Sequence, residues 1–261
     1  MPMDDPASSK RLALLIDADN ASPAIIVGLL SEISKFGVLT VKRIYGDWTT
    51  PNLGGWKNTL LDHSIVPIQQ FRYTVRKNAT DTAMIIDAMD ILYSGNVDGF
   101  CLVSSDSDFT RLASRLRESG LVVYGFGERK TPNAFVSACD KFTFVDILLD
   151  PGQAPKADSK ASAQELTRDT QLMNVLRSAI EASADEGDWA DLGEVGKQIS
   201  SQKPDFDSRH YGFGKLSSLL GSIDLFEVRR ESGGDQGHTS VFVRNRKGGG
   251  RQGGRRKKRA G

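Results

Sequence analysis

The first 150 residues alternate between short apolar runs and segments with helical periodicity. Five apolar runs have the length of buried strands: 12–16, 38–45, 65–71, 100–103 and 121–126. Four helices are predicted between them, from Pro23 onward and over 56–61, 80–92 and 109–119. Strands that alternate with helices favour an α/β fold, in which helices cover both faces of a parallel sheet.

A different pattern begins near residue 164. Three helical segments and two strand-like runs are predicted there: 164–182, 189–200, 213–220, 225–230 and 239–244. Three helices and a hairpin in about 80 residues favour a small winged helix-turn-helix domain. We therefore expect a disordered N-terminus (1–9), an α/β domain (10–150), a linker rich in Pro, Ala and Ser (151–163), a winged-helix domain (164–246) and a disordered basic tail (247–261).

Composition and charge narrow the class of protein. No apolar run approaches the roughly 18 residues that a membrane span needs, and the first ten residues lack the apolar core of a secretory signal. Cys101 and Cys139 are the two cysteines and are expected to be buried thiols, which favours a cytoplasmic protein. The stretch 244–261 holds nine basic and no acidic residues, so the rest of the chain carries −8 against +1 overall. That asymmetry favours a polyanionic partner.

Acidic residues stand where an open parallel sheet would place a site. Asp17 follows the first predicted strand, Asp106 and Asp108 follow the run 100–103, and Asp81 begins the helix 80–92. Ligands bind outside the carboxyl ends of the strands in such sheets, so we expect these side chains to lie at one rim. Clustered carboxylates repel one another, and oxygen ligands without His or Cys fit Mg²⁺ or Mn²⁺. Each acid taken alone fits a helix cap or turn equally well.

Four segments resemble the NYN domain of the LabA-like family, within the PIN-like nuclease superfamily. They are LLIDADN, YGDW, RKNATDTAMIIDAMDILY and LVSSDSDF, in this order over about residues 10–148. The resemblance implies a Rossmann-like three-layer fold and metal-dependent cleavage of phosphodiester bonds, usually in RNA. Its catalytic and metal-binding positions correspond to Asp17, Asp81, Asp106 and Asp108, with Asn20 closing the first motif.

Several residues near these motifs are candidates for RNA contact. Lys77 and Asn78 match the family's KN-x-x-D run, and either Lys77 or Arg72 could meet a phosphate at the acidic rim. Trp48 in YGDW could stack a base. Each also fits an ordinary role, a solvated loop for the first three and a half-buried aromatic for Trp48.

Residues 164–246 resemble the OST-HTH/LOTUS domain. The resemblance rests on DWADLGEVGKQI, KPDFDSRHYGFGKLSSLL, LFEVRR and TSVFVRN, and it implies an RNA-associated winged helix that binds RNA or protein. Arg209, Tyr211 and Lys215 form a polar, partly aromatic edge that could meet a nucleic acid backbone. The basic tail is expected to bind phosphate without sequence preference. Its candidate contacts are Arg255, Arg256, Lys257 and Lys258.

The sequence leaves alternatives open. Asp17-Ala-Asp19 also resembles the nucleophile motif of haloacid dehalogenase-like phosphatases, but Asn20 stands where Thr or Val is usual. A regulatory adaptor that binds RNA without cleaving it would use the same rim to hold a metal or a partner. We expect a metal-dependent ribonuclease, an endonuclease by resemblance, that binds Mg²⁺ or Mn²⁺ and RNA. PIN-like domains often dimerise, so a homodimer is a further expectation.

Overall fold

The computed structural model describes residues 9–71, 79–149, 160–232 and 239–246. Most of the predicted linker and all of the predicted tail lie outside the described residues, as do the first eight residues. Within the described part, the chain forms two compact units. The first takes the chain up to Lys160 together with Ile199–Gly214, and the second takes Ala161–Gln198 and the chain from Lys215 onward.

The first unit is built on a parallel sheet. Its six strands are β1 (Arg11–Asp17), β2 (Val38–Gly46), β3 (Val66–Gln69), β4 (Gly99–Val103), β5 (Val122–Gly127) and β6 (Lys141–Phe144). They lie in the order β3-β2-β1-β4-β5-β6, and every neighbouring pair is parallel. β1 and β4 are almost wholly buried, because their continuous apolar runs are covered on both faces. The predicted α/β fold is confirmed.

Five helices cover the two faces of this sheet. They are α1 (Ile26–Ile33), α2 (Trp56–Asp62), α3 (Ala79–Ser94), α4 (Thr110–Glu118) and α5 (Asn133–Ala138). One core cluster includes Met84 of α3 with Leu112 and Phe135 of the next two helices. The other includes Leu29 of α1 and Trp56 of α2. The alternate side chains of β1 divide between the two clusters, as the two-residue period of a strand requires.

The end of this unit departs from the prediction. The apolar pattern of the sequence predicts neither α5 nor β6, the edge strand of the sheet. Residues 65–71 were predicted as a strand, but β3 covers only Val66–Gln69. The helix predicted over 109–119 begins with a short 3₁₀ turn, Ser107–Phe109, and Gly120 ends it with a left-handed φ of 82°.

The second unit combines helices with a small antiparallel sheet. Its elements are α6 (Ala163–Arg168), α7 (Thr170–Ser183), β7 (Ala190–Asp191), α8 (Leu192–Gln202), α9 (Leu216–Gly221), β8 (Phe226–Ser232) and β9 (Thr239–Asn245). The strands lie in the order β7-β9-β8, and the last residues of α8, from Ile199, belong to the first unit. The predicted hairpin strands and helical domain are confirmed, and residues 233–238, between the two strands, lie outside the described residues.

Two helix predictions in this unit were wrong in detail. The predicted helix 164–182 is two helices, because the Asp169 side chain accepts a hydrogen bond from the Leu172 backbone N–H and starts α7. The helix predicted from Trp189 begins only at Leu192, since Ala190 and Asp191 pair with β9. None of the helices in the described ranges is both long and apolar enough to cross a bilayer.

Candidate metal centre

The acidic residues collect where the strand order of the sheet reverses. β1 lies between β2 and β4. The strands β2 and β3 follow on one side of β1, and β4, β5 and β6 follow on the other, so the direction of the strand order reverses at β1. Asp17 is the last residue of β1, and Asp106 follows the end of the neighbouring β4. In doubly wound sheets the crevice at this reversal is the usual ligand site. The carboxyl ends of β1 and β4 therefore carry Asp17 and Asp106 to the same rim.

Asp17 is the most buried of these acids, with 1% of its surface exposed. Its Oδ2 accepts hydrogen bonds from Asn20 Nδ2 (2.7 Å) and Ser104 Oγ (2.8 Å), and its Oδ1 accepts one from the Asp19 backbone N–H (3.1 Å). Burial raises the pKa of Asp17, and the hydrogen bonds from Asn20 and Ser104 offset that rise only in part. These bonds fix the orientation of the carboxylate.

Ser104 joins the two loops of the site. It is fully buried, donates its hydroxyl hydrogen to Asp17, and accepts a hydrogen bond at Oγ from the Asp106 backbone N–H (3.1 Å). The neighbouring Ser105 has another partner, since its Oγ accepts a hydrogen bond from the Glu128 backbone N–H (2.8 Å). Ser104 therefore couples Asp17 to the loop that carries Asp106.

Asp81, Asp106 and Asp108 form the tightest acidic group. One carboxylate oxygen from each lies within 4.8 Å of the others. Asp81 stands in the first turn of α3 and is 9% exposed. Asp106 caps the 3₁₀ turn that precedes α4, since its Oδ1 accepts from the Asp108 backbone N–H (2.9 Å). Asp108 lies within this turn and does not cap it.

The charges of the group act on Asp81. The pKa of Asp81 is raised to about 6. Burial of its carboxyl group is the largest cause, and the negative charges of Asp17, Asp106 and Asp108 add to it. A carboxylate with so high a pKa gains most from a nearby cation. The donors are all oxygens, which suits a hard divalent ion such as Mg²⁺ or Mn²⁺ better than zinc. The residues present therefore fit a divalent metal ion.

Asp47 was not recognised as a candidate from the sequence, although it follows β2 at the same edge. It is 8% exposed, and its Oδ1 accepts hydrogen bonds from the Thr49 hydroxyl (2.6 Å) and Gln69 Nε2 (2.9 Å). Trp48 is held by the same loop, with its backbone N–H donating to Gln69 Oε1 and its indole Nε1 donating to the Ile68 carbonyl, both at 3.0 Å. Trp48 is half-buried and packs against the α1–α2 side of the core.

The three candidates in the second half of the chain have different surroundings. Arg209 lies in the first unit, where it pairs with Asp207 (2.6 Å) and with both oxygens of Glu32 (2.8 and 2.9 Å). Tyr211 is half-buried, with its ring centroid 6.3 Å from that of Phe206. Lys215 is exposed in the second unit and immediately precedes α9.

The remaining nucleic-acid candidates lie outside the described residues. These are Arg72, Lys77 and Asn78 before α3, and Arg255, Arg256, Lys257 and Lys258 of the tail. Of the nucleic-acid candidates, the described residues include Trp48, Arg209, Tyr211 and Lys215.

Similar solved structures come from bacteria. A protein of unknown function from Vibrio parahaemolyticus is 18% identical, with 56% of this chain and 98% of that chain covered and a TM-score of 0.46. An uncharacterized protein from Nitrosomonas europaea is 28% identical over 37% of this chain and 84% of its own, with a TM-score of 0.26. A fragment from Chromobacterium violaceum, residues 175–257 of its protein, is 30% identical over 33% of this chain and 91% of its own, also at 0.26. These scores establish no shared fold.

Family models identify both halves of the chain. The search of curated proteins found no match. The OST-HTH/LOTUS domain model matches residues 167–238. The NYN domain model matches residues 11–148, which span the whole parallel sheet and the four acids of the candidate site, Asp17, Asp81, Asp106 and Asp108. The sheet order and the acidic rim agree with the PIN-like architecture of that family. The chain belongs to the NYN domain family and carries a C-terminal OST-HTH/LOTUS domain.

Proposed function

We propose that this protein is a ribonuclease of the LabA-like type that depends on a divalent metal ion and cleaves RNA internally. In this proposal Mg²⁺ or Mn²⁺ is the ion, and the OST-HTH/LOTUS domain and the basic tail tether the RNA. The observation that carries the proposal is the convergence of Asp81, Asp106 and Asp108 beside the buried Asp17 at the reversal of the strand order. The cytoplasmic location and the homodimer stay predictions from the sequence.

The four carboxylates divide the work in this proposal. Asp81, Asp106 and Asp108 would hold the ion, because their oxygens lie within 4.8 Å of one another. Asp17 would face the same ion from the floor of the site, oriented by Asn20 and Ser104. A bound divalent cation supplies positive charge that stabilises the charge developing on a phosphoryl group during hydrolysis.

The protein's own groups have a second task, which is to present the RNA phosphate to an acidic rim that would otherwise repel it. Lys77 and Arg72, on the segment that leads into Asp81, are our proposed phosphate contacts. Trp48 is proposed as a stacking surface for a base, because its indole is fixed at the carboxyl edge of β2. The tail would add affinity that depends on salt concentration.

The test of this proposal is the cleavage of labelled single-stranded RNA by the full chain and by Asp106→Asn in the presence of Mn²⁺. Asn removes the charge and keeps the shape, and we expect cleavage to fall at least about 100-fold while RNA binding is retained. Asp90→Asn is the matched control, since it removes the same charge from an exposed position of α3 and should cleave normally.

Equal cleavage by wild type and Asp106→Asn would overturn the site. Absence of cleavage in both proteins, with RNA binding intact on a broad set of substrates, would favour the regulatory adaptor that the sequence also allows.

A further inference from the structure

A polar cluster lies between β2 and α3, next to the acidic group but not part of it. Asp87 of α3 accepts a hydrogen bond at Oδ2 from the Tyr45 hydroxyl and forms an ion pair through Oδ1 with Arg43 Nη1. Tyr45 is fully buried, whereas the side chains of Asp87 and Arg43 are 22% and 34% exposed. Both carboxylate oxygens of Asp87 are therefore used by groups of β2.

The cluster joins α3, which carries Asp81, to β2, the strand that lies beside the one carrying Asp17. Asp87 and Asp81 lie on the same helix, six residues apart, which is about 9 Å along the axis and on different faces. Tyr45 is the register partner of Asp17 across the β1–β2 pair. A single carboxylate thus connects the helix that carries Asp81 with the strand that flanks Asp17.

Packing alone would fix this helix less sharply. Met84, Ala88 and Ile91 of α3 are buried against the sheet, and such apolar contacts are non-directional. Charge-assisted hydrogen bonds, by contrast, depend on distance and angle. Burial raises the pKa of Tyr45, so its phenol keeps the proton that it donates to Asp87. The contacts of Asp87 with Arg43 and Tyr45, called the clamp below, can therefore fix the position of α3 along β2 more narrowly than apolar packing can.

We propose that Asp87 is a positioning residue for the metal site: clamped by Arg43 and Tyr45, it holds α3 where Asp81 meets Asp106 and Asp108. Asp87 touches neither the ion nor the RNA. The inference rests on the metal site of the proposed function, and its consequence for cleavage rests in addition on the proposed nuclease activity.

The test measures the Mn²⁺ affinity of the folded full chain, without RNA, by isothermal titration calorimetry. Asp87→Asn keeps the shape of the side chain but loses its charge and one of its two acceptor oxygens. We expect its Mn²⁺ affinity to fall about tenfold, the lower end of the loss found when residues that orient metal ligands are replaced. Tyr45→Phe removes one bond of the clamp and should weaken binding less, and Asp90→Asn, an equal change on the exposed face of α3, should bind as wild type does.

A residue with only a structural role would lower the melting temperature and leave the affinity of the folded protein unchanged. Wild-type affinity in folded Asp87→Asn would therefore overturn the proposal. If Asp87→Asn does not fold, Tyr45→Phe decides, because it keeps the ion pair with Arg43, and unchanged affinity in that variant would overturn the proposal as well.

Cleavage separates this inference from the proposed function. With a wild-type protein that cleaves RNA, excess Mn²⁺ should restore cleavage by Asp87→Asn, since the defect lies in metal affinity. A different result would separate the two proposals. If the wild-type protein binds Mn²⁺ tightly but cleaves no RNA, and Asp87→Asn lowers the Mn²⁺ affinity, the positioning role is supported and the proposed nuclease activity is contradicted. Wild-type protein that binds no Mn²⁺ would overturn the positioning role.

Discussion

At the scale of single residues, the site depends on acids that the fold holds close together in partly buried positions. Asp17 and Asp81 both have raised pKa values, and burial is the main cause for each. Ionised carboxylates at this rim therefore lower the stability of the folded protein, and a bound cation would offset that loss. Shifted pKa values of this kind are typical of functional sites.

This cost predicts a pH dependence. The pKa of Asp81 is raised from 3.8 to about 6 in the folded state, so the metal-free protein should lose stability as pH rises through that window. A divalent ion competes with the proton on Asp81, and its stabilising effect should grow over the same window. We expect Mn²⁺ to raise the melting temperature clearly more at about pH 7.5 than at about pH 5.

Thermal unfolding with Mn²⁺ and with EDTA at the two pH values measures the difference. Asp81→Asn is the control, because it removes the titrating group and should flatten the dependence. An equal rise at both pH values in wild type would contradict a site that includes Asp81.

Much of this residue-scale picture could be predicted. The positions of Asp17 and Asp106 follow from the rule that parallel strands end at one rim, once the runs 12–16 and 100–103 are taken as neighbouring strands. Ser104 as a partner of Asp17 could not be predicted, since they lie 87 positions apart and only the β1–β4 register brings them together. The clamp on Asp87 depends in the same way on how α3 crosses β2.

At the scale of elements, the segment Ile199–Gly214 packs with the first unit and not with the rest of the second half of the chain. It lies within the OST-HTH/LOTUS match, yet it packs as part of the first unit. The Phe142 backbone N–H, on the edge strand β6, donates to the Pro204 carbonyl (2.9 Å), and Arg209 pairs with Glu32 of α1. Burial alone would raise the pKa of Glu32, but the hydrogen bonds from Arg209 and Lys35 outweigh it and lower the value.

The ion pair predicts a stability effect. Glu32 is 4% exposed, so Arg209→Ala would leave a buried carboxylate with Lys35 as its remaining cation in this pair network. We expect the free energy of unfolding of the first unit to fall by about 2 kcal/mol, less than for a fully buried pair because the Arg209 side chain is 29% exposed. Urea unfolding measures this fall. Arg115→Ala, which breaks an exposed pair with Glu118 on α4, should cost much less, and equal losses for the two variants would refute a special role for Arg209.

Element boundaries show where sequence patterns lose power. β1, β4 and α3 were predicted because a buried strand or a long helix leaves a run of apolar residues or a repeated period. The six residues of α5 are too few to show a helical period, and the edge strand β6 has only four. The break between α6 and α7 rests on one capping aspartate inside an otherwise continuous helical pattern.

At the scale of the whole molecule, charge is divided along the chain. The acidic body carries the candidate metal site, and the stretch from Lys247 to the last residue carries seven basic residues and no acidic ones. RNA fits both features: its phosphates can meet a divalent ion at the acidic site, and the cationic side chains of the tail can displace the counterions that surround it. The matched OST-HTH/LOTUS domain, a type of domain that binds RNA, fits the same partner.

The tail predicts a salt-dependent contribution to RNA binding. Removing the residues after Arg246 should weaken binding most at low salt and reduce the slope of log affinity against log salt concentration. Fluorescence anisotropy with labelled single-stranded RNA at several salt concentrations measures both. A tail of equal length with Gln at every Lys and Arg is the matched control, and it should behave like the truncation. Affinity and slope unchanged in both would refute the role.

The central claim is that the acidic rim works as a metal-dependent ribonuclease site, and the most direct test is RNA cleavage as a function of free Mn²⁺. Wild-type protein should cleave labelled single-stranded RNA with a saturable dependence on Mn²⁺ and stop in EDTA. Asp81→Asn, purified in parallel, should require far more Mn²⁺ or cleave nothing at all. Cleavage that persists in EDTA, or that Asp81→Asn performs with the same Mn²⁺ dependence as wild type, would contradict the account.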